Sequence, residues 1–273
     1  MMYSCGPASG HSTATVKSRK KGSLKIDIHC HYLNTDVAAK VAHLNPGQYE
    51  PSITYANALT REVNGKQMKD RAPMLTEVAV RLKHMDRMGI DIQAVSPAPN
   101  QTYYWTDPGL GQELARGVNE RIAQIVAQWP DRFVGLGSIP LQDAGLAVSE
   151  LEYAVKKLGL RGVEINPSVN GLDLTDSKLN LESFFRKAQD LNIVIFMHPI
   201  GYTDGARLMD HYFNNVIQPA RNDGGGEPPD FRRRDGALSE AEGGAAACRR
   251  LPRALLGAHG PRLEGAPRLP HGP

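Results

Sequence analysis

A chain of 273 residues is long enough to bury one large hydrophobic core, and its net charge of +3 is too small to indicate a nucleic-acid partner. Its mean hydropathy of −0.39, and the lack of any apolar run approaching ~18 residues, exclude a membrane partner as well. The three cysteines, Cys5, Cys30 and Cys248, are widely spaced and odd in number, which favours a reducing compartment over a disulfide framework.

The first 23 residues are polar and end in the basic run KSRKK at 17–21. They lack the apolar core of a signal peptide. We therefore expect residues 1–23 to form a disordered tail on a cytoplasmic protein, with the folded domain beginning at Leu24.

The sequence IDIHCH at 26–31 follows a short run of strand-forming residues, so it is predicted to end a buried β-strand. Side chains alternate between the two faces of a strand, which places His29 and His31 on one face and Cys30 on the other. Two imidazoles on one face can chelate a single metal ion. The alternative is that one or both are structural histidines.

Residues 34–75 have weak hydrophobic periodicity and contain several glycines and prolines, which predicts a long surface loop. The loop carries four basic residues that could reach an anionic substrate. These are Arg61, Lys66, Lys69 and Arg71. For each of them, a solvated surface charge is the alternative.

Regular alternation of helices and strands begins at Thr76. The periodicity predicts helices over 76–89, 111–129, the segment around Leu151 closed by Gly159, and 181–191, alternating with strands over 90–96, 133–139, 161–166 and 193–198. The last strand is apolar throughout, which predicts burial on both faces. Five strands alternating with helices at this spacing indicate βαβ units and favour a barrel.

His198 ends the fifth predicted strand, just as His29 and His31 end the first. In a (β/α)₈ barrel all strand carboxyl ends open on the face that carries the active site, so three histidines could meet there. Neutral imidazoles suit zinc and other divalent first-row metals, and three ligands with an open position are typical of a catalytic site. Glu164, late in the fourth strand, is a candidate to contact a metal-binding residue without binding the metal itself. The alternative is a solvated carboxylate.

Five segments in order carry a family resemblance: IDIHCH at 26–31, HMDRMGID at 84–91, SIPLQD at 138–143, GVEI at 162–165 and MHP at 197–199. From about Leu24 to Gln218 the chain resembles the amidohydrolase superfamily, in the branch that holds aminocarboxymuconate-semialdehyde decarboxylase. The resemblance implies an α/β fold of the (β/α)₈ TIM-barrel type over residues 24–217.

The resemblance also implies chemistry. His29, His31 and His198 would be ligands of a divalent metal, expected to be zinc, that activates a bound water. The family adds a catalytic histidine after the sixth strand and a metal-binding aspartate after the eighth. The expected substrate is a small carboxylated aromatic or muconate-like acid, with Arg61 and Arg71 as candidates to hold its carboxylate. The expected reaction is decarboxylation, with a hydrolase or hydratase as the alternative, and the full-length family member is expected to be a homodimer.

The character of the sequence changes at Gln218. Runs of Gly, Arg and Ala follow, every basic residue is Arg or His, and neither hydrophobic period survives. One interpretation is a disordered Arg-rich tail that binds partners. We favour another, because reading codons for 218–223 one base later permits Asn-Pro-Leu-Glu-Thr, and continuing the shift permits a strand and the family patterns His-x-Gly-Gly and Gly-Arg-Met-Asp-His.

Residues 218–273 are therefore predicted to be irregular and translated out of frame. The barrel would then be truncated to about five βα units, and the chain would lack the family's C-terminal catalytic residues and be inactive. A non-enzymatic metal-binding remnant is the remaining alternative.

Overall fold

The computed structural model describes residues 24–198. The predicted tail at 1–23 and the predicted irregular segment at 218–273 lie outside the described residues.

The described part is built on a curled parallel sheet of five strands in the order β1-β2-β3-β4-β7. These strands are β1 (Ile26–Tyr32), β2 (Ile92–Pro97), β3 (Phe133–Gly137), β4 (Gly162–Ile165) and β7 (Val194–Met197). Two short strands, β5 (Ser168–Val169) and β6 (Leu172–Asp173), form a separate antiparallel pair. The predicted βα alternation is confirmed, and it forms half of a barrel wall.

Helices connect the strands. They are α1 (Thr35–Val41), α2 (Pro51–Thr54), α3 (Ala58–Thr76), α4 (Val78–Met88), α5 (Pro108–Gln128), α6 (Ala144–Lys156) and α7 (Glu182–Asp190), with 3₁₀ turns at 42–44, 46–49 and 99–101. The end of α4 is set by Gly89, whose φ of +67° is the left-handed conformation that favours glycine. Helix α5 starts earlier than the predicted 111 because Asp107 caps it and Pro108 occupies its first turn.

The prediction of a loop over residues 34–75 is wrong, because this segment is largely helical. The Asn34 side chain accepts hydrogen bonds from two amides at the start of α1, and the Asn57 side chain accepts one at the start of α3. Helix α3 buries only Thr60 and Leu75 along its length. A helix that buries so little shows no hydrophobic period, although its backbone hydrogen bonds are regular.

Two clusters of buried side chains form the core of the described part. One lies between the first three strands and helices α4 and α5, and includes Met85, Val95 and Ile122. The other lies between β4, α6 and α7, and includes Val163 and Phe184. The strand carboxyl ends, with their polar residues, are thus held by apolar packing behind them.

Strand β7 is less buried than predicted. Val194 is 36% exposed and Met197 is 39% exposed, because β4 is the only strand of the described residues that pairs with β7. The pairing with β4 is close: a Cβ added at Gly162 would lie 2.2 Å from the carbonyl oxygen of Val194. It continues past the strand end, where the His198 amide donates to Ile165 O at 2.9 Å. This pairing sets the position of His198.

Candidate metal centre

Strand β1 presents two histidines where the strand is bulged. Asp27 pairs with Gln93 and Cys30 pairs with Val95, so β1 has one more residue than β2 between these two pairs. The Asp27 Oδ1 atom accepts a hydrogen bond from the His29 amide at 3.3 Å. A bulge re-aims the side chains that follow it, and here it lies directly at His29.

The three histidines predicted to share a metal lie together at the carboxyl ends of β1 and β7. One nitrogen from each imidazole lies within 4.8 Å of the other two. The ring centroids are separated by 4.7 Å for His29 and His31, 4.8 Å for His31 and His198, and 5.2 Å for His29 and His198. The donor type, number and spacing fit one divalent cation.

Hydrogen bonds from β2 orient the His31 ring. Its Nδ1 atom lies 2.9 Å from the main-chain oxygen of Pro97 and 3.2 Å from the hydroxyl of Ser96. Because a carbonyl oxygen can only accept, we assign the proton to Nδ1, which leaves the Nε2 lone pair facing the cluster. Metal-binding histidines commonly carry such a bond on the other ring nitrogen.

The environment favours neutral imidazoles. Burial lowers the pKa of His29, against the opposing effect of the Asp27 charge. Burial first, and then the neighbouring imidazoles, hold the pKa values of His31 and His198 well below the ordinary 6.5. The neutral form is the one that binds metals, so the site does not depend on proton loss near neutral pH. Neither ring nitrogen of His198 has a hydrogen-bond partner among the described residues.

Glu164, predicted to support a ligand, is buried on β4 against His31. Its Oε2 atom lies 3.5 Å from His31 Nδ1. Burial raises the pKa of the Glu164 carboxyl to about 8, against a smaller opposing effect of the Ser96 hydroxyl. Because burial disfavours the charged form of both groups, this contact joins two neutral side chains rather than an ion pair.

The two arginines predicted to bind the substrate lie on one helix. Arg61 is exposed and Arg71 is partly buried, and both lie on α3. Within residues 24–198 there is no hydrogen bond or ion pair between either of them and the histidine cluster. Their role in binding a carboxylate stays a prediction.

One residue at the site was missed from the sequence. Arg81 on α4 is 7% exposed, and its guanidinium donates to the main-chain oxygen of His31 and to Gln93. The sequence pattern could have identified Arg81 as buried. It precedes the fully buried Met85 by one helical turn, so both lie on the inward-facing side of the helix. A basic residue on such a stripe indicates a buried polar partner.

None of the helices over residues 24–198 combines the length and apolarity needed to cross a bilayer.

Comparisons with known proteins identify relatives of this chain. The sequence profile of the Amidohydrolase family matches residues 26–259. The match extends past Gln218, where a change of reading frame was predicted, and that change stays a prediction. A 2-amino-3-carboxymuconate-6-semialdehyde decarboxylase of Dictyostelium discoideum is 32% identical over 178 residues, which are 65% of this chain and 49% of that protein. The chain therefore spans about half the length of this relative.

Solved structures of decarboxylases have the same fold. The 5-carboxyvanillate decarboxylase of Sphingomonas paucimobilis is 27% identical with a TM-score of 0.61, covering 73% of this chain and 61% of that one. A dihydroxybenzoic acid decarboxylase of Polaromonas sp. JS666 is 25% identical with a TM-score of 0.52, covering 70% and 55%. The latter structure contains manganese and the inhibitor 2-nitroresorcinol. A divalent-metal site is thus supported for this chain.

Proposed function

This chain belongs to the amidohydrolase family, and on that premise we propose that it derives from a metal-dependent decarboxylase whose cation is held by His29, His31 and His198. The observation that carries the proposal is the convergence of three buried or partly buried imidazole nitrogens within 4.8 Å at the strand ends. A bound cation would lower the pKa of a coordinated water and polarise a substrate oxygen. The ring nitrogens of His198 support this, because buried polar atoms in native proteins almost always have a partner.

The expected cation is zinc, on the grounds that three neutral imidazoles are a common donor set for it. Manganese is the competing ion, because the Polaromonas decarboxylase contains it. The test is to titrate the metal-free chain with Zn²⁺ and Mn²⁺ separately by calorimetry. Stoichiometric binding of either, lost in His198→Ala and retained in His43→Ala, would support the site. His43 is the matched control because it is exposed on the segment after β1.

The expected substrate is a small carboxylated aromatic or muconate-like acid, the class to which the names of the relatives point. Arg61 and Arg71 are proposed to bind its carboxylate, since a guanidinium can form two parallel hydrogen bonds to one carboxylate. The test is to substitute each with Ala in a frame-restored chain, beside the control Gln67→Ala at an exposed position on the same helix. Unchanged KM values for every carboxylated substrate in both variants would contradict this role.

We infer in addition that residues 218–273 are out of frame and that the 273-residue chain does not turn over. The test is to express it beside the frame-restored version and to assay both with added Zn²⁺ or Mn²⁺. The assay is run under reducing conditions, because a cytoplasmic location is expected for this protein. Comparable turnover would contradict the frame prediction. Carbon dioxide release distinguishes a decarboxylase from a hydrolase or hydratase, and stoichiometric metal binding without turnover by either version would indicate a metal-binding remnant.

A further inference from the structure

Arg81 is a buried cation without a directly bound carboxylate among the described residues. Its Nη1 atom donates to Gln93 Oε1 at 3.2 Å, and its Nη2 atom donates to the main-chain oxygen of His31. Burial lowers the pKa of the guanidinium, against the nearby charge of Asp27 among others. Burying a charge is costly unless its hydrogen bonds are satisfied. Packing alone therefore does not explain why an arginine occupies this position.

The contacts of Arg81 extend through a second residue to the other histidine. Gln93, itself buried on β2, donates from Nε2 to Asp27 Oδ2 at 3.2 Å. The other carboxylate oxygen of Asp27 accepts from the His29 amide at 3.3 Å. One guanidinium is therefore connected to the main chain of both histidines on β1, directly at His31 and through Gln93 and Asp27 at His29.

This connection spans the β-bulge. The irregularity in the pairing of β1 with β2 lies between Asp27 and Cys30. The hydrogen bonds of the network reach the Asp27 side chain before it and the main-chain oxygen of His31 after it. A bulge leaves one residue outside the regular ladder, so other hydrogen bonds must hold its geometry. The planar fork of arginine can hold two acceptors on different strands at once, whereas lysine offers a point charge.

We propose that Arg81 is a positioning residue of the metal centre, which holds the bulge of β1 through His31 O, Gln93 and Asp27 and thereby sets the spacing of the His29 and His31 imidazoles. This inference rests on the proposed function, because it requires that the two histidines bind a metal. An arginine needed only for folding would affect stability and leave the ligand geometry of the folded protein unchanged.

The test uses the full 273-residue chain and Mn²⁺ as the probe, with calorimetry for affinity and pulsed electron paramagnetic resonance for histidine nitrogen couplings. Arg81→Met is expected to weaken Mn²⁺ binding by ~10–100-fold, the range for residues that orient metal ligands, and to change the histidine couplings at saturating metal. Arg81→Lys is expected to recover part of the affinity. Arg87→Met, an exposed position on the same helix, is the matched control and should bind like the parent.

A second variant covers the case in which Arg81→Met does not fold. Gln93→Leu leaves the arginine in place and breaks its connection to Asp27, and it is expected to change the His29 coupling more than that of His31. Parent-like affinity and couplings in the folded variants would overturn the inference while leaving the proposed function intact. A parent chain that binds neither Mn²⁺ nor Zn²⁺ in the same calorimetry would overturn both.

Discussion

The Nε2 atoms of His29 and His31 lie 2.9 Å apart on the same face of β1. At this distance both cannot carry a proton, since two N–H groups would then point at each other. The proton of His31 is assigned to Nδ1 by its bond to Pro97 O, so the metal-free pair is held by an N–H of His29 directed at His31. A cation bound between the rings would require the other neutral tautomer of His29, with its proton on Nδ1 instead of Nε2.

Metal binding should therefore stabilise the chain. With Mn²⁺ or Zn²⁺ free at about 100 times its dissociation constant, the free energy of unfolding should rise by about 2.7 kcal/mol, provided that the unfolded chain does not bind the ion. Urea unfolding with and without metal, and after chelation, measures this. His31→Ala should remove the stabilisation and His43→Ala should retain it; an equal metal response in both variants would place the ion elsewhere.

Gly162→Ala should disturb the site from a distance. The added methyl would lie 2.2 Å from Val194 O, so β4 and β7 must separate, and His198 follows β7. We expect a loss of ~1–3 kcal/mol in stability, as for other overpacked positions, together with weaker metal binding. The control is Gly65→Ala on α3, where an added Cβ meets no atom within 4 Å. This substitution should raise the free energy of unfolding by ~0.5–1 kcal/mol, because glycine loses more conformational freedom than alanine in a helix. Thermal unfolding and metal titration of both variants provide the comparison.

The ion pair between Arg116 on α5 and Glu150 on α6 should contribute strongly to stability. Glu150 is fully buried and its Oε2 atom lies 2.7 Å from Arg116 Nη2. Arg116→Ala should cost about 3 kcal/mol, the lower end for breaking a buried pair, because Arg116 is itself 35% exposed. Arg186→Ala, which removes the exposed pair with Glu182, should change stability by less than ~0.5 kcal/mol. Similar losses in the two variants, measured by denaturant unfolding, would contradict this assignment.

Glu50 should make stability fall as pH rises. Burial raises the pKa of its carboxyl above the ordinary 4.5, against the opposing effect of a hydrogen bond from Asn100. The folded state therefore binds the proton more tightly than the unfolded state, and this contribution is complete below 4.5 and lost as pH rises through the folded pKa. In Glu50→Gln the loss of stability with rising pH should be smaller. The measurement is the difference in the free energy of unfolding between variant and parent from pH 4 to 7. A difference that does not change with pH would contradict the raised pKa, and Glu62→Gln on α3 controls for the removal of one charge.

Much of the fold and of the candidate site could be read from local patterns. Strand periodicity placed His29 and His31 on one face, and the apolar run before His198 placed it at a strand end, because side-chain direction in a strand depends only on position along it. The helices of the second half of the described chain were found for the same reason, since each buries a continuous apolar stripe. The segment over 34–75 was misread because α3 buries almost nothing, and a helix held by its caps and backbone leaves no such stripe.

The sequence by itself determined the family, the alternation of the five sheet strands with helices α4 to α7, and the three histidines as candidate ligands. These depend on residue type and on spacing within a few residues. Only the tertiary structure decided that Arg81 and Gln93 hold the bulge of β1, that Glu164 lies against His31, and that β7 is partly exposed. These relationships join residues far apart in the chain. They follow from strand register and from which strands are paired, and no local pattern specifies either.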